Sequence, residues 1–499
     1  MRVMLALLFL LCAYVAPSAS SADEMPTAKE IRDRSAAAAG PVPENYRETI
    51  QIGGDFKRVT YHLGAEQRQT FDHNGLHSEQ GTYHGEAWEQ GNNGLTVISE
   101  KDPGNAIKDP ISTTVTHVTQ PFDAYVIAEL NARGAGRRTY YDSTTFQRRR
   151  VDDVSVDETT TETVDAFATF GDRTLPKRWT VISQRPHEET PYERVEYVAG
   201  VTTDADVQEP PTRRMLVEFP PGVDRVDLPI TRIGNQFFVR VSVGSKLVDF
   251  ALDTGSSRIV IDPELARDLG VHLINRSAQT TAQRYVGAEA IIPEMRVGSL
   301  RMHDIAVYVA PLSEGSGIDV KVLGLLGFDF LAQLGVTIDY QHNSVHVMPA
   351  EKYVPPAEQS TYPFDVRLGA LVPMVTVTIP DAVAERAIID TGCSCTFAFF
   401  DYFARRYPKA FQHGMGYSSS YGVGGRVASE LFRFHEIHLG PILFNDGTGM
   451  RFSPHSYSYN ADGLIGNNLL SLFTLDLDYL HGRIYLTPNA AARHAQESR

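Results

Sequence analysis

Asp253-Thr254-Gly255-Ser256-Ser257 recurs 137 residues later as Asp390-Thr391-Gly392-Cys393-Ser394. Each copy ends an apolar run, Leu247-Val248-Asp249-Phe250-Ala251-Leu252 in the first case and Ala387-Ile388-Ile389 in the second. One Asp-Thr-Gly is an ordinary turn after a strand. Two copies in matching contexts, at a domain-like spacing, predict two equivalent loops that each present one carboxyl group. Carboxyls brought together share a proton, because like charges at short range do not both ionise readily. Such a pair holds a base and an acid at once and titrates as a unit. Attack by an unactivated water on a carbonyl needs both. Gly255 and Gly392 let the backbone turn tightly beside the carboxyls. Thr254 and Thr391 offer hydroxyls that cross-link the loops, and Ser256 and Cys393 complete the supporting turns.

The repeat extends past the tripeptides, and self-similarity of this kind is tested before any fold assignment. Gly327 follows Asp253 by 74 residues in Gly324-Leu325-Leu326-Gly327, and Gly466 follows Asp390 by 76 in Gly463-Leu464-Ile465-Gly466. Each then enters an alternating segment with a central turn, Val336–Tyr340 with Ser344–Val347, and Thr474–Tyr479 with Arg483–Leu486. Period-2 alternation around a short polar turn predicts β-hairpins. Between tripeptide and glycine motif, both halves carry a Tyr-and-Gly segment, Tyr285-Val286-Gly287 and Tyr421-Gly422-Val423-Gly424-Gly425.

This ordered set resembles the pepsin-like and retropepsin-like aspartic proteases, over about residues 225–350 and 362–488. The resemblance implies an all-β, bilobal fold of two retropepsin-like β lobes, at 223–350 and 360–488, preceded by a separate β-rich domain. It implies an aspartic-type endopeptidase with Asp253 and Asp390 as the catalytic pair. It places flaps around Tyr285 and Gly287 and around Tyr421, Gly424 and Gly425. Leu325-Leu326-Gly327 and Leu464-Ile465-Gly466 are expected to pack under the active-site loops. Two departures stand out: Cys393 takes the place of a usual Ser or Ala, and the first flap is poor in glycine. These motivate the alternative of a catalytically weak or inactive peptide-binding module on the same fold.

Residues 1–22 read as a secretory signal, with Arg2, an apolar core from Met4 to Val15 and the small residues Ser20-Ser21-Ala22. The core is too short for a comfortable membrane span, so the chain is expected to be exported to the periplasm or beyond, without stable membrane insertion. Cys393 and Cys395 then remain, and closing so small a loop strains a disulfide; reduced, partly buried thiols are expected. A formal net charge of −15 disfavours nucleic acid and anionic membranes as partners. The expected partner is a peptide or protein substrate, met by a monomer. No cofactor is implied, since water attacks and side chains supply acid and base. His435-Glu436-Ile437-His438 lacks zinc-ligand spacing and reads as a strand, so no metal is assigned. Asn275-Arg276-Ser277 is a glycosylation sequon, meaningful only in a eukaryotic secretory route.

Ahead of the repeat lie a polar tail (23–45), with a short helix at Thr27–Ala39, and a strand-rich region (46–215). Alternation such as Phe56–Leu63 and Arg68–His77 predicts an antiparallel sheet or open barrel. The order of elements, with Asn74-Gly75, Tyr140–Thr145 and Phe167–Trp179, loosely resembles lipoprotein-carrier-like sheets of the bacterial envelope. That implies docking of substrate or an apolar ligand; a structural β appendage is the competing expectation. Pro-rich connectors follow at Glu209–Pro211, Pro220–Gly222 and Pro349–Pro363, the first two semi-rigid.

Overall fold

The computed structural model describes residues 25–99, 111–131, 136–154, 159–184, 187–213, 215–280, 284–312, 321–369, 371–453 and 461–497. The proposed signal segment, with Cys12, lies outside these. The chain is mostly β. The first element among the described residues is the helix Ala28–Ala39, entered through a capping box in which Thr27 and Glu30 satisfy each other's backbone amides.

Thirteen strands then form one antiparallel sheet. Its order runs from Thr96–Ser99 at one edge, through Asn45–Ile52 and His187–Ala199, to Ser112–Val118 at the other. Ile50, Ile52, Val164 and Trp179 form its own apolar cluster, joined by Phe56, Phe167, Val181 and Tyr192. Strand alternation puts these residues on one face while neighbours such as Arg47 and Gln51 point the other way. Arg148-Arg149-Arg150 opens the strand Arg148–Val154, and its arginines pair with Glu162, Asp142 and Asp152.

Two eight-stranded sheets follow, with identical internal order. The first runs from Ile230–Ile233 to the hairpin Ile274–Thr280/Arg284–Val297. The second runs from Arg367–Gly369 to the hairpin Gly414–Gly422/Gly425–Leu439. In each, the strand before the tripeptide pairs in parallel with the Gly-motif strand, Ala251 against Leu325 and Ile388 against Leu464. Parallel strands covered on both faces read as continuous apolar runs, which is why Leu252, Leu326, Ile389 and Ile465 are buried. Each sheet closes on itself through one further pairing, Val241 with Val297 and Val377 with Leu439.

The hairpins after the Gly motifs do more than pair within their own half. Leu334–Asp339 lies antiparallel to Phe473–Asp478, with Ile338 opposite Leu475, so the halves share a six-stranded sheet. One apolar core runs through both halves and across that sheet. Leu95 and Val97, from the edge of the thirteen-stranded sheet, pack against this core. The N-terminal sheet is thus docked on the repeat.

Candidate active site

Asp253 ends one apolar strand and Asp390 the other, and the two loops meet at the boundary of the halves. Thr254 N–H donates to Thr391 Oγ1 (3.0 Å), and Thr391 N–H donates to Thr254 Oγ1 (3.0 Å). Each hydroxyl in turn donates a hydrogen bond to a carbonyl across the boundary, Thr254 to Ile389 O and Thr391 to Leu252 O. Both threonines are buried. All four backbone and hydroxyl groups are satisfied only if the loops are locked in register.

That lock sets the carboxyls face to face. A Cβ on Gly255 would lie 2.6 Å from Asp390 Cγ, and a Cβ on Gly392 would lie 2.6 Å from Asp253 Cγ. Glycine is therefore needed twice for close approach. The carboxyls of Asp253 and Asp390 are hydrogen-bonded to each other. Gly255 N–H donates to Asp253 Oδ1 (2.9 Å) and Gly392 N–H to Asp390 Oδ1 (2.8 Å). Burial pushes the Asp390 carboxyl well above the ordinary range, and the Asp253 charge pushes it further. Burial also raises Asp253. The pair thus titrates as one unit, with burial and mutual repulsion both favouring a retained proton.

The support beneath the two loops is unequal. Under Asp390, Tyr340 Oη donates to Asn467 Oδ1 (2.5 Å) and Asn467 Nδ2 donates to Thr391 O. Gln236 Nε2 donates to Gly392 O, Asn467 N–H to Cys393 O (2.8 Å) and Asn468 Nδ2 to Ser394 O (3.1 Å). Arg232 donates to Tyr340 O and lies over the Tyr340 ring. Under Asp253, the position matching Asn467 is Phe328, whose ring meets Tyr479 edge-on at 5.7 Å. Tyr479 matches Tyr340, yet its buried hydroxyl finds no hydrogen-bond partner among the described residues.

The hairpins named as flaps occupy corresponding places in the two sheets. Tyr285 pairs with Gln279 and Gly287 with Ser277, across a turn outside the described residues. Tyr421 pairs with Arg426 and Gly422 with Gly425. Gly424 and Gly425 have φ of +87° and +129°, values that favour glycine. This second hairpin reaches the first half: Gly424 N–H donates to Pro311 O (3.2 Å). Val423 packs on an apolar cluster of the first half with Phe238, Ala251, Ala310 and Leu325, and Tyr285 packs on the same cluster. A matching cluster in the second half includes Ile388, Met374, Phe400 and, at its margin, Leu464. The residues two before each Asp and two before the closing Gly of each motif thus belong to corresponding apolar patches in the two halves.

One expectation is overturned. Cys393 and Cys395 are joined as a disulfide rather than left as thiols. Their Cα atoms lie 5.3 Å apart, within the span such a bond bridges; spacing in sequence alone overstated the obstacle. His435 and His438 lie in the strand Gly425–Leu439 and contact Asp446 and Glu436. Among the described residues, no cluster of His, Cys, Asp or Glu is placed to hold a metal ion. None of their helices is long and apolar enough to cross a membrane. Sequence reading passed over Tyr340, Asn467 and Gln236. Superposing the two halves of the repeat signals the first two, because Tyr340 aligns with Tyr479 and Asn467 with Phe328.

Residues 239–330 match the family model described as aspartyl protease. This span contains the first Asp-Thr-Gly and the first Gly motif. It identifies an aspartyl protease-like region in the chain. No curated protein matches the chain. Among solved structures, a LolA superfamily protein from Nitrosomonas europaea is 10% identical and covers 37% of this chain and 99% of its own, at a TM-score of 0.30. Basic 7S globulin from soybean is also 10% identical and covers 55% of this chain and 97% of its own, at a TM-score of 0.33.

Proposed function

We propose that this chain is an aspartic endopeptidase with two retropepsin-like lobes, hydrolysing peptide bonds with a water activated between Asp253 and Asp390. The carrying observation is the reciprocal threonine lock, with glycines that leave room for the opposite carboxyl. A pure binder gains nothing from burying two mutually repelling acids against each other. In this reading the ionised carboxyl takes a proton from water as its oxygen attacks the peptide carbonyl. The protonated carboxyl gives its hydrogen to the carbonyl oxygen. Collapse of the tetrahedral species breaks the C–N bond: the amine leaves with the proton taken from water, and one hydroxyl of the diol returns its proton to the other carboxylate, restoring the pair.

Thr254, Gly255, Ser256, Thr391, Gly392 and Cys393 hold the two acids in place. The substrate is an extended peptide bound as a strand, covered by the hairpins carrying Tyr285 and Gly287 and Tyr421, Gly424 and Gly425. The apolar patches around Ala251 and Ile388 favour apolar side chains next to the scissile bond. We propose further that the enzyme is exported and acts as a monomer, with residues 46–215 as an accessory domain.

The test is hydrolysis of casein or a proteome-derived peptide pool across a pH series. Asp253→Asn and Asp390→Asn should each lower turnover by roughly a thousandfold or more, with the fold retained by circular dichroism. Activity should decline as pH rises through the raised pKa of the pair, since both acids then ionise. Wild-type cleavage by either folded Asn variant would refute the assignment.

A further inference from the structure

The repeat places Asn468 and Asp329 in equivalent positions, each two residues past the Gly that closes its motif. Asn468 Oδ1 accepts from Asn235 Nδ2 of the opposite half (3.0 Å). By symmetry, Asp329 would receive an amide from the second half. It does not have one to give: Asn235 and Gln236 of the first half correspond to Leu371 and Val372 in the second. The side-chain amide that bonds to Asp329 comes instead from Asn93.

Asn93 sits in the turn between the strands Glu86–Gln90 and Thr96–Ser99 of the N-terminal sheet. It is 3% exposed. Its Nδ2 donates to Ala306 O (2.9 Å), and Ala306 N–H donates to its Oδ1 (2.9 Å), so the amide joins the sheet edge as a strand neighbour would. Asp329 in turn accepts from Ile259 N–H (3.3 Å), three residues past Ser256. A second route runs beside the first. Asn92 Nδ2 donates to Glu289 (3.1 Å), and Glu289 holds Arg258 (2.6 Å), whose carbonyl accepts from Ser256 Oγ (2.9 Å). Both routes end on residues 256–259, the outgoing limb of the Asp253 loop.

We propose that the N-terminal sheet is a built-in brace for the first carboxylate loop, with Asn93 as its positioning residue. It takes for Asp329 the place that Asn235 takes for Asn468. The proposal rests on the hydrolase reading for its kinetic consequence, but not for its structural one. A chain that lost the sheet would keep both aspartates and loosen one of them.

The experiment uses the full chain with Asn93→Ala, Asp329→Ala and the double variant. Peptide hydrolysis is read as kcat and KM separately, and amide hydrogen exchange is followed at Gly255–Ile259. Asn93→Ala should lower kcat on the order of tenfold with KM little changed, since small misplacement of a reacting group is costly. Exchange at Gly255–Ile259 should quicken in the same variant. The double variant should lose no more than Asp329→Ala alone, because the two residues form one linkage. Should Asn93→Ala not fold, Asn93→Asp carries the test: two facing acids should displace the loop and quicken exchange at Gly255–Ile259. Unchanged exchange, or losses that multiply in the double variant, overturns the brace. A wild-type chain that cleaves nothing sinks the hydrolase reading alone, and the exchange comparison then decides the brace.

Discussion

At the scale of single residues, the raised acids carry a stability cost. Asp390 is shifted upward first by burial and then by the Asp253 charge. A carboxyl whose folded pKa exceeds its unfolded value adds stability below the unfolded pKa and loses it as pH climbs through the folded one. Asp390→Asn cannot ionise, so it should be more stable than wild type near neutral pH. The difference should fade below about pH 4, where Asp390 is neutral in both states. Urea unfolding at the two pH values measures it; an equal difference at both contradicts the shift. A second residue-scale expectation concerns Asn467, buried and bonded to Tyr340 and to the Thr391 carbonyl. Asn467→Leu leaves a buried hydroxyl and a carbonyl without their amide partners. It should cost about 2–4 kcal/mol and lower kcat, checked by unfolding and by hydrolysis.

At the scale of elements, the second hairpin crosses with its tip to the other half. Gly424 holds a positive φ that a β-branched residue adopts poorly. Gly424→Val should distort the turn, break the contact with Pro311 and raise KM several-fold, with a smaller change in kcat. Steady-state kinetics on one peptide checks this, and an unchanged KM argues against a substrate-covering role. The elements also show what the sequence made legible. The repeated tripeptides, the Gly motifs and the hairpins at Leu334–Pro349 and Phe473–Pro488 follow from local patterning, because period and turn chemistry are written within a few residues. That the hairpins pair with each other, Ile338 against Leu475, is not local; nothing in either alternation names its partner across more than a hundred residues. The carboxyl pair was readable because two short motifs duplicate one another. Asn93 was not, since one amide in a turn has no pattern, and its role arises only where two sheets dock.

At the scale of the whole molecule, the N-terminal sheet, the two halves and their shared sheet form a connected body. Its main core takes in Leu95 and Val97 from the N-terminal sheet. The strand-rich character of residues 46–215 was readable from alternation, but its extension into a single thirteen-stranded sheet was not, because edge pairing depends on register between distant segments. The disulfide between Cys393 and Cys395 was misjudged for a related reason: whether two side chains can meet depends on the bend of the loop between them. In the first half, Ser256 Oγ donates to Arg258 O (2.9 Å) across the matching interval, so both loops are pinned at the same interval by different chemistry.

The mismatch between Asn467 and Phe328 carries a consequence for symmetry. A homodimer obeying strict twofold symmetry must repeat whatever it places beneath one acid beneath the other. Tyr340 with a partner and Tyr479 without one among the described residues are therefore a difference that a symmetric pair of identical halves could not hold, and that two halves of different sequence can.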